Sequence, residues 1–476
     1  MEADLRMWLK QVEELGQLKR VEGADWNLEL GCLTNLNAKN RKGPALLFDK
    51  IKDHKEGFRV LTCSSSSPER LSITLNLPQG LSDLEMQKAL WQKLIKCEEE
   101  LDKYSTVTVK SGPILENIKS GDDVDVLELP APKWHALDGG RFIGTADAVV
   151  TQDPDNGEIN VGTYRMMVHD KKTIGLFFAP GQHGFLHCSK YHAKNEPAPV
   201  AISYGHHPLL FSVACIEFPP GSEYDYVGAL REAPVKVIKE ELTGLPIPAD
   251  SEIVVVGYVP PNKFKDEGPF GEWPGYYGSG IRPARYVEVK RIYHRNNPIL
   301  LGSPPNHPPS DASYQKEMVR GALLCHDLTK MGVPDIRGVQ VSEVGARQLV
   351  VISIKQRYAG HAKQAAILLS QNRLTAVQGR YVIVVDEDID PTNIQEVLWA
   401  LCTRSDPEKD IDIIRRAPSS SLDPIIRRPT DHFFNSRAII DACKPYEWFN
   451  EFPQEIKISP ELEKRVKEKF GSQLGL

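Results

Sequence analysis

The chain has 476 residues, 41% of them hydrophobic and 26% charged, with 35 glycines and 35 prolines. That length holds several domains with sizeable cores and excludes a disulfide-stapled miniprotein, a collagen-like chain and a disordered one. With 58 Lys+Arg against 64 Asp+Glu the net charge is -6, which gives no general attraction to nucleic acid or to an anionic membrane surface.

The first twenty residues mix acids and bases into the apolar positions, unlike a secretory signal. Leu5, Trp8, Leu9, Val12 and Leu15 recur at helical spacing, residues 45–48 read as a strand and residues 84–101 as a second amphipathic helix. From about 114 to 301 short β-rich runs (146–151, 252–259, 285–293, 299–301) alternate with Gly/Pro clusters, as in a barrel or sandwich. Beyond the loop 302–309, Asp311 is placed to cap a helix through Met318 to about Leu328. Residues 347–355 and 380–386 read as buried strands, and Asp390-Pro391 as the cap and first-turn proline of a helix over 394–403. The Pro-, Ser-, Asp- and Arg-rich stretch 405–429 reads as a surface wrap. No apolar run reaches the roughly 18 residues of a membrane span. The eight cysteines form no CxxC pair, so reduced thiols and a cytoplasmic location are expected.

Three segments carry chemistry. In 266–276 (DEGPFGEWPGY) Glu267 and Glu272 stand five positions apart around Gly-Pro and Gly. A helix would set them about 140° apart and a strand would face them oppositely, so only a turn lets them converge. Two carboxylates in one pocket do not both ionise freely, and a nearby arginine holds one charged while the other keeps a proton, which prepares a general acid. The second segment, NVGTYR at 160–165 with Gly181-Gln182-His183, and the third, EYDYVGA at 223–229, offer a carboxamide, an imidazole and a carboxylate. Such a mixed set suits Mn2+ or Mg2+, and the lack of thiolates argues against structural zinc. The run 275–283 is glycine-rich but has no Walker lysine and reads as a plain loop.

The order NVGTYR, GQH, E-x-D-Y-V-G-A-L, E-G-P-F-G-E-x-x-G-Y resembles the UbiD family of decarboxylases, with spacings like those of fungal ferulic acid decarboxylases. The resemblance runs through the central region and, less specifically, into both ends. It implies an α/β multidomain fold: an N-terminal α/β domain (1–112), a central flavin-reductase-like split β-barrel (113–309), a connector helix (310–330) and a C-terminal α/β dimerisation domain (331–476). It further implies prenylated FMN, made by a partner flavin prenyltransferase, with Asn160, His183 and Glu223 as ligands of Mn2+ (Mg2+ as alternative) on the flavin phosphate, K+ as an accompanying ion, and Gln182 and Arg165 at the cofactor. Arg165, Glu267 and Glu272 match the catalytic network. Arg165 pairs with the substrate carboxylate or with Glu267, and Glu272 protonates the carbon left after CO2 departs. The implied activity is non-oxidative, reversible decarboxylation of an aromatic or heteroaromatic acid by a homodimer or higher homo-oligomer, with the alternatives of a metal-dependent hydrolase or a non-catalytic flavin-binding scaffold. A lysine that fungal members place near the flavin has no counterpart here beyond Arg373 and Arg380. Trp273, Pro274, Tyr276 and His307 are the substrate-pocket candidates.

Overall fold

The computed structural model describes residues 4–342, 344–430 and 432–474. The first helix, Leu5–Glu14, begins where the Asp4 side chain accepts the Met7 N–H, and it buries Leu5, Trp8, Leu9 and Val12 of the stripe read from the sequence, while Leu15 follows the helix as its C-cap and is exposed. That stripe packs on a four-stranded sheet of Leu18–Glu22, Ala45–Asp49, Arg59–Thr62 and Ile299–Leu301, in that order. The last strand was expected in the central β-rich region. Instead it runs parallel to Arg59–Thr62, Leu300 opposite Val60, and completes the N-terminal sheet.

The central region is a ten-stranded curled sheet in which every neighbouring pair is antiparallel. Its spine is the 13-residue strand Arg282–His294, which pairs with four neighbours: Thr173–Leu176, Ile253–Val259, Lys265–Glu267 and Asn117–Ser120. Three helices unforeseen in the sequence interrupt this β-rich stretch: His183–Ala193, Pro208–Ala214 and Glu223–Arg231. All seven residues of Pro208–Ala214 are buried, so that helix has no polar face to generate a period.

The connector helix, Ser313–Lys330, buries residues around most of its girth, among them Gln315, Glu317 and Arg320. Gly321 lets it close on its neighbours, since a Cβ there would lie 2.4 Å from the Val339 carbonyl oxygen. Asp311 does not cap it. The helix starts after Ala312, and the Asp311 carboxylate accepts the Cys63 N–H at 2.7 Å.

The C-terminal sheet has the order Ile336–Val341, Leu349–Ile354, Tyr381–Asp386, Phe434–Asp441, Ile411–Pro418. Val350, Ile352, Val382 and Val384 pack with the helix His361–Gln371, whereas Val351, Ile383 and Val385 pack with Ile394–Arg404. Alternation along each strand thus places one helix on each face. Two expectations change here. Asn393, whose side chain accepts the Gln395 N–H, caps the helix, while Asp390 accepts the Thr392 N–H in the turn before it. Part of the expected surface wrap, Ile411–Pro418, is an edge strand of the sheet. A last helix, Pro460–Leu474, follows. No described helix is long and apolar enough to cross a membrane, and the eight cysteines are unpaired.

Candidate active site

Arg165 sits in the irregular link between Ile159–Gly162 and Met166–Asp170, and its carbonyl accepts the Phe177 N–H. Glu267 ends the short strand Lys265–Glu267, opposite Arg282 on the spine. Between the two glutamates the chain turns through Gly268, at φ 93°, and the cis Gly268-Pro269 peptide. Glu272 then closes the turn through its N–H to the Tyr276 carbonyl at 3.0 Å. The turn is clamped from outside: the Gly139 N–H reaches the Pro269 carbonyl at 2.8 Å, and the Asp138 carboxylate accepts the Gly271 N–H. Gly139 is required there, because a Cβ would fall 2.0 Å from the Gly268 carbonyl oxygen.

The result is the convergence that the spacing required. Arg165 donates through Nη2 to Glu267 Oε2 at 2.7 Å and through Nη1 to Glu272 Oε1. Side-chain exposure is 8% for Arg165, 0% for Glu267 and 11% for Glu272, so this is an interior triad. The rings of Phe177 and Phe270 lie 4.7 and 5.5 Å from the Arg165 guanidinium carbon. Burial raises the Glu272 carboxyl above its usual range, against the downward pull of Arg165. A carboxyl that holds its proton more tightly than usual is suited to donate it.

The second group gathers around Tyr164. Its hydroxyl accepts the Gly184 N–H at 3.2 Å and lies 3.4 Å from the Asn160 carboxamide nitrogen. Asn160 is on the strand Ile159–Gly162, and His183 and Glu223 are the first residues of two helices. Neither helix has a side-chain cap. Glu223 is buried, held by its own and the Val161 backbone N–H, and burial pushes its carboxyl up to about 7. Gln182 precedes His183 and folds back to accept the Ala179 N–H. A buried carboxylate without an ion pair among the described residues, a carboxamide, an imidazole and two uncapped helix starts are donors of the kind that suits a hard divalent cation and a phosphate. Among the described residues no cluster of three or more His, Cys, Asp or Glu side chains is placed to hold a metal; this set has two, completed by the Asn160 amide.

Of the pocket candidates, Trp273 is half-buried under Arg347, whose guanidinium lies 5.1 Å from the indole, and Pro274 is buried. Tyr276 and His307 are exposed. Arg373 reaches the Glu217 carbonyl, on the segment leading to Glu223, whereas Arg380, just before the strand Tyr381–Asp386, pairs with Asp423 in the loop between Ile411–Pro418 and Phe434–Asp441. Sequence reasoning missed Tyr164, Phe177 and Arg282. Tyr164 lies inside the quoted NVGTYR motif and Phe177 four residues before Gly181, whereas Arg282 was identifiable only through its pairing opposite Glu267.

Three family models, the N-terminal, Rift-related central and C-terminal domains of 3-octaprenyl-4-hydroxybenzoate carboxy-lyase, match residues 9–90, 105–308 and 315–442. The chain belongs to the UbiD family of carboxy-lyases. A phenolic acid decarboxylase of Sedimentibacter hydroxybenzoicus is 34% identical over 459 residues, 93% of this chain and 92% of that protein. The vanillic acid decarboxylase of the same organism, solved in closed form, superposes with TM-score 0.85 at 31% identity, covering 100% of this chain and 99% of its own. An evolved dimeric form of the UbiD-class enzyme HmfF of Pelotomaculum thermopropionicum, in complex with prFMN, superposes with TM-score 0.82 at 26% identity, covering 97% of this chain and 98% of its own. These UbiD-class structures share the N-terminal, central and C-terminal arrangement.

Proposed function

We propose that this UbiD-family enzyme catalyses the non-oxidative, reversible decarboxylation of an aromatic or heteroaromatic acid with prenylated FMN. The observation that carries the reading is the interior Glu267–Arg165–Glu272 triad. Asn160, His183 and Glu223 would hold Mn2+, or Mg2+ in its place, against the flavin phosphate, with Gln182 alongside and K+ as a further counter-ion. The bound cofactor supplies the electron sink for the departing CO2. The chain's own residues do the rest. Arg165 and Glu267 fix the geometry of the pocket, since both Nη groups of Arg165 are committed to the glutamates. Glu272, with Oε1 on Arg165, delivers a proton from Oε2 to the carbon that has lost CO2 and takes one back from solvent, so that acid anion and proton become neutral product and CO2. The walls formed by Phe177 and Phe270 exclude water from this transfer.

The names of the relatives support an aromatic acid as substrate. The domain division at 112, 309 and 330, a cytoplasmic location and a homo-oligomer belong to the same proposal. The exposed Leu462, Val466 and Phe470, at fourfold spacing on the last helix, support a second copy as partner. The test is protein produced with and without a flavin prenyltransferase, assayed over a panel of aromatic acids for CO2 release and over their products for H/D exchange. Activity should require the prenyltransferase. Equal activity of both preparations overturns the cofactor assignment, and hydrolysis without CO2 release returns the metal hydrolase.

A further inference from the structure

A cavity of about 780 Å3 opens on the C-terminal sheet, where the strands Tyr381–Asp386 and Phe434–Asp441 begin and the edge strand Ile411–Pro418 ends. Five arginines line it: Arg380, Arg415, Arg416, Arg427 and Arg437. Among the described residues no acidic side chain does so, in a chain whose net charge is -6. Asp423 answers Arg380 at 2.6 Å. Arg437 is buried and donates through Nη2 to the Ala376 and Pro418 carbonyls, which are neutral. Arg415, Arg416 and Arg427 are exposed and form no ion pair among the described residues. All but one of the five charges are therefore uncompensated. Burial and the nearby Arg380 already push Arg437 down to about 10, and an anion in the cavity would relieve that repulsion.

Between the arginines the walls are apolar and partly aromatic. Tyr381 is 47% and Phe434 43% exposed, and the Arg416 guanidinium carbon lies 4.5 Å from the Phe434 centroid. Open rings beside open guanidinium groups match a ligand with a planar unsaturated part and an anionic part. A lone phosphate would leave most of the volume empty, since pockets of about 300–1,000 Å3 take much larger molecules. Arginine forks match phosphate oxygens two at a time. None of Arg165, Glu267, Glu272, Asn160, His183 and Glu223 lines this cavity. Its outer wall, residues 425–430, follows Leu422, which packs on Gly278 just beyond the glutamate turn: a Cβ there would lie 3.3 Å from Leu422 Cδ2.

We propose that this arginine-lined cavity binds a nucleotide, with its phosphates on the unpaired arginines and its base against Phe434 and Tyr381. The same chemistry can arrive as a free nucleotide or as the nucleotide handle of an acid carried as a coenzyme A thioester. The thioester source rests on the decarboxylase reading, whereas the site itself does not.

The test is calorimetry on the flavin-loaded full chain with ADP, adenosine, inorganic pyrophosphate, coenzyme A and the phosphorylated adenosine half of coenzyme A. ADP should bind saturably. Adenosine, which brings no charge, should bind at least about tenfold more weakly, and pyrophosphate, which brings no ring, more weakly than ADP. Arg415→Gln combined with Arg427→Gln, both at exposed positions, should weaken ADP about 10–150-fold, the factor for lost charge-assisted hydrogen bonds. Arg465→Gln on the last helix is the reference for a general charge effect and should leave ADP within about twofold. Phe434→Ala should weaken ADP and leave pyrophosphate unchanged. Coenzyme A tighter than its adenosine half assigns the thioester source, and equal affinity assigns a free nucleotide. Absence of saturable ADP binding overturns the proposal, as does adenosine as tight as ADP or ADP affinity within about threefold of wild type in the double arginine variant. Pyrophosphate as tight as ADP overturns it too, because the cavity would then hold a bare anion. The decarboxylase reading fails separately, through CO2 release and deuterium exchange, which none of these binding measurements uses.

Discussion

Arg165→Met removes the one cation that bridges two buried carboxylates, and the consequence depends on pH in a way that the burial dictates. In wild type each glutamate accepts a guanidinium N–H, at 2.7 Å for Glu267. Without it, removal of one partner from a buried pair costs about 3–5 kcal/mol while the orphaned charges persist. Arg282, opposite Glu267, offsets part of this and favours the lower end. Protonation is the escape. A glutamate whose folded pKa is raised binds its proton more tightly folded than unfolded. Its stability contribution is therefore fully present below the unfolded value of about 4.3 and declines as pH rises through the folded value. Burial already raises Glu272 in wild type against the pull of Arg165, and the variant, which lacks that pull, raises it further. At pH 5.5 the remaining loss is that of two hydrogen bonds, about 1–2 kcal/mol. At pH 8 it should be about 3–4 kcal/mol, a further 2 kcal/mol or so, which corresponds to roughly 4–8 °C of Tm for a domain of this size. The assay is thermal unfolding of both proteins at pH 5.5 and 8.0, with a flavin-free preparation of each. A Tm deficit of equal size at the two pH values refutes the argument, because it would mean that the carboxylates are solvated rather than buried.

Glu272→Gln keeps size and hydrogen bonding but has no proton to give, so flavin and metal should stay bound while turnover falls about 10²-fold or more; near-normal exchange of product protons with D2O in the loaded variant would move the acid role to Glu267 or a bound water. Glu267→Gln should also lose turnover, together with the orientation of Arg165, and so show a shifted KM where Glu272→Gln does not. Glu223→Ala should lower bound Mn2+ and bound flavin in step when both are quantified on the purified protein, and full flavin with no metal would break the proposed bridge. Gly139→Ala touches neither carboxylate, yet its Cβ would overlap the Gly268 carbonyl. The turn must shift at a cost of about 1–3 kcal/mol, and turnover should fall with flavin content unchanged.

What the sequence revealed depended on how local the determining physics was. The first helix was legible because Leu5, Trp8, Leu9 and Val12 face one core while their neighbours face water. The two glutamates were legible as a convergent pair because Gly268, Pro269 and Gly271 leave the chain few conformations other than a turn. The short helices that begin at His183 and Glu223 were not: the second is buried on several sides, the first buries only Gly184, His187 and Cys188, which form no apolar stripe, and both follow Gly or Pro signals that read as loop. Asp311 was misread because a strong capping residue can equally satisfy a distant backbone N–H, here that of Cys63. Arg282 lay beyond reach for a related reason. An arginine after a glycine-rich loop is ordinary until strand register sets it against Glu267.

The pairing of Ile299–Leu301 with Arg59–Thr62 has a consequence for synthesis. The strand that completes the N-terminal sheet leaves the ribosome about 240 residues after its partner, a delay of roughly 10–50 s at ordinary elongation rates. Throughout that interval Arg59–Thr62 is a bare edge, with Val60 and Leu61, fully buried at the end, still open to solvent. The amino-terminal third of the protein therefore begins first and finishes late. A nascent chain halted anywhere before residue 299 presents an adhesive strand to chaperones or to its neighbours on the same message.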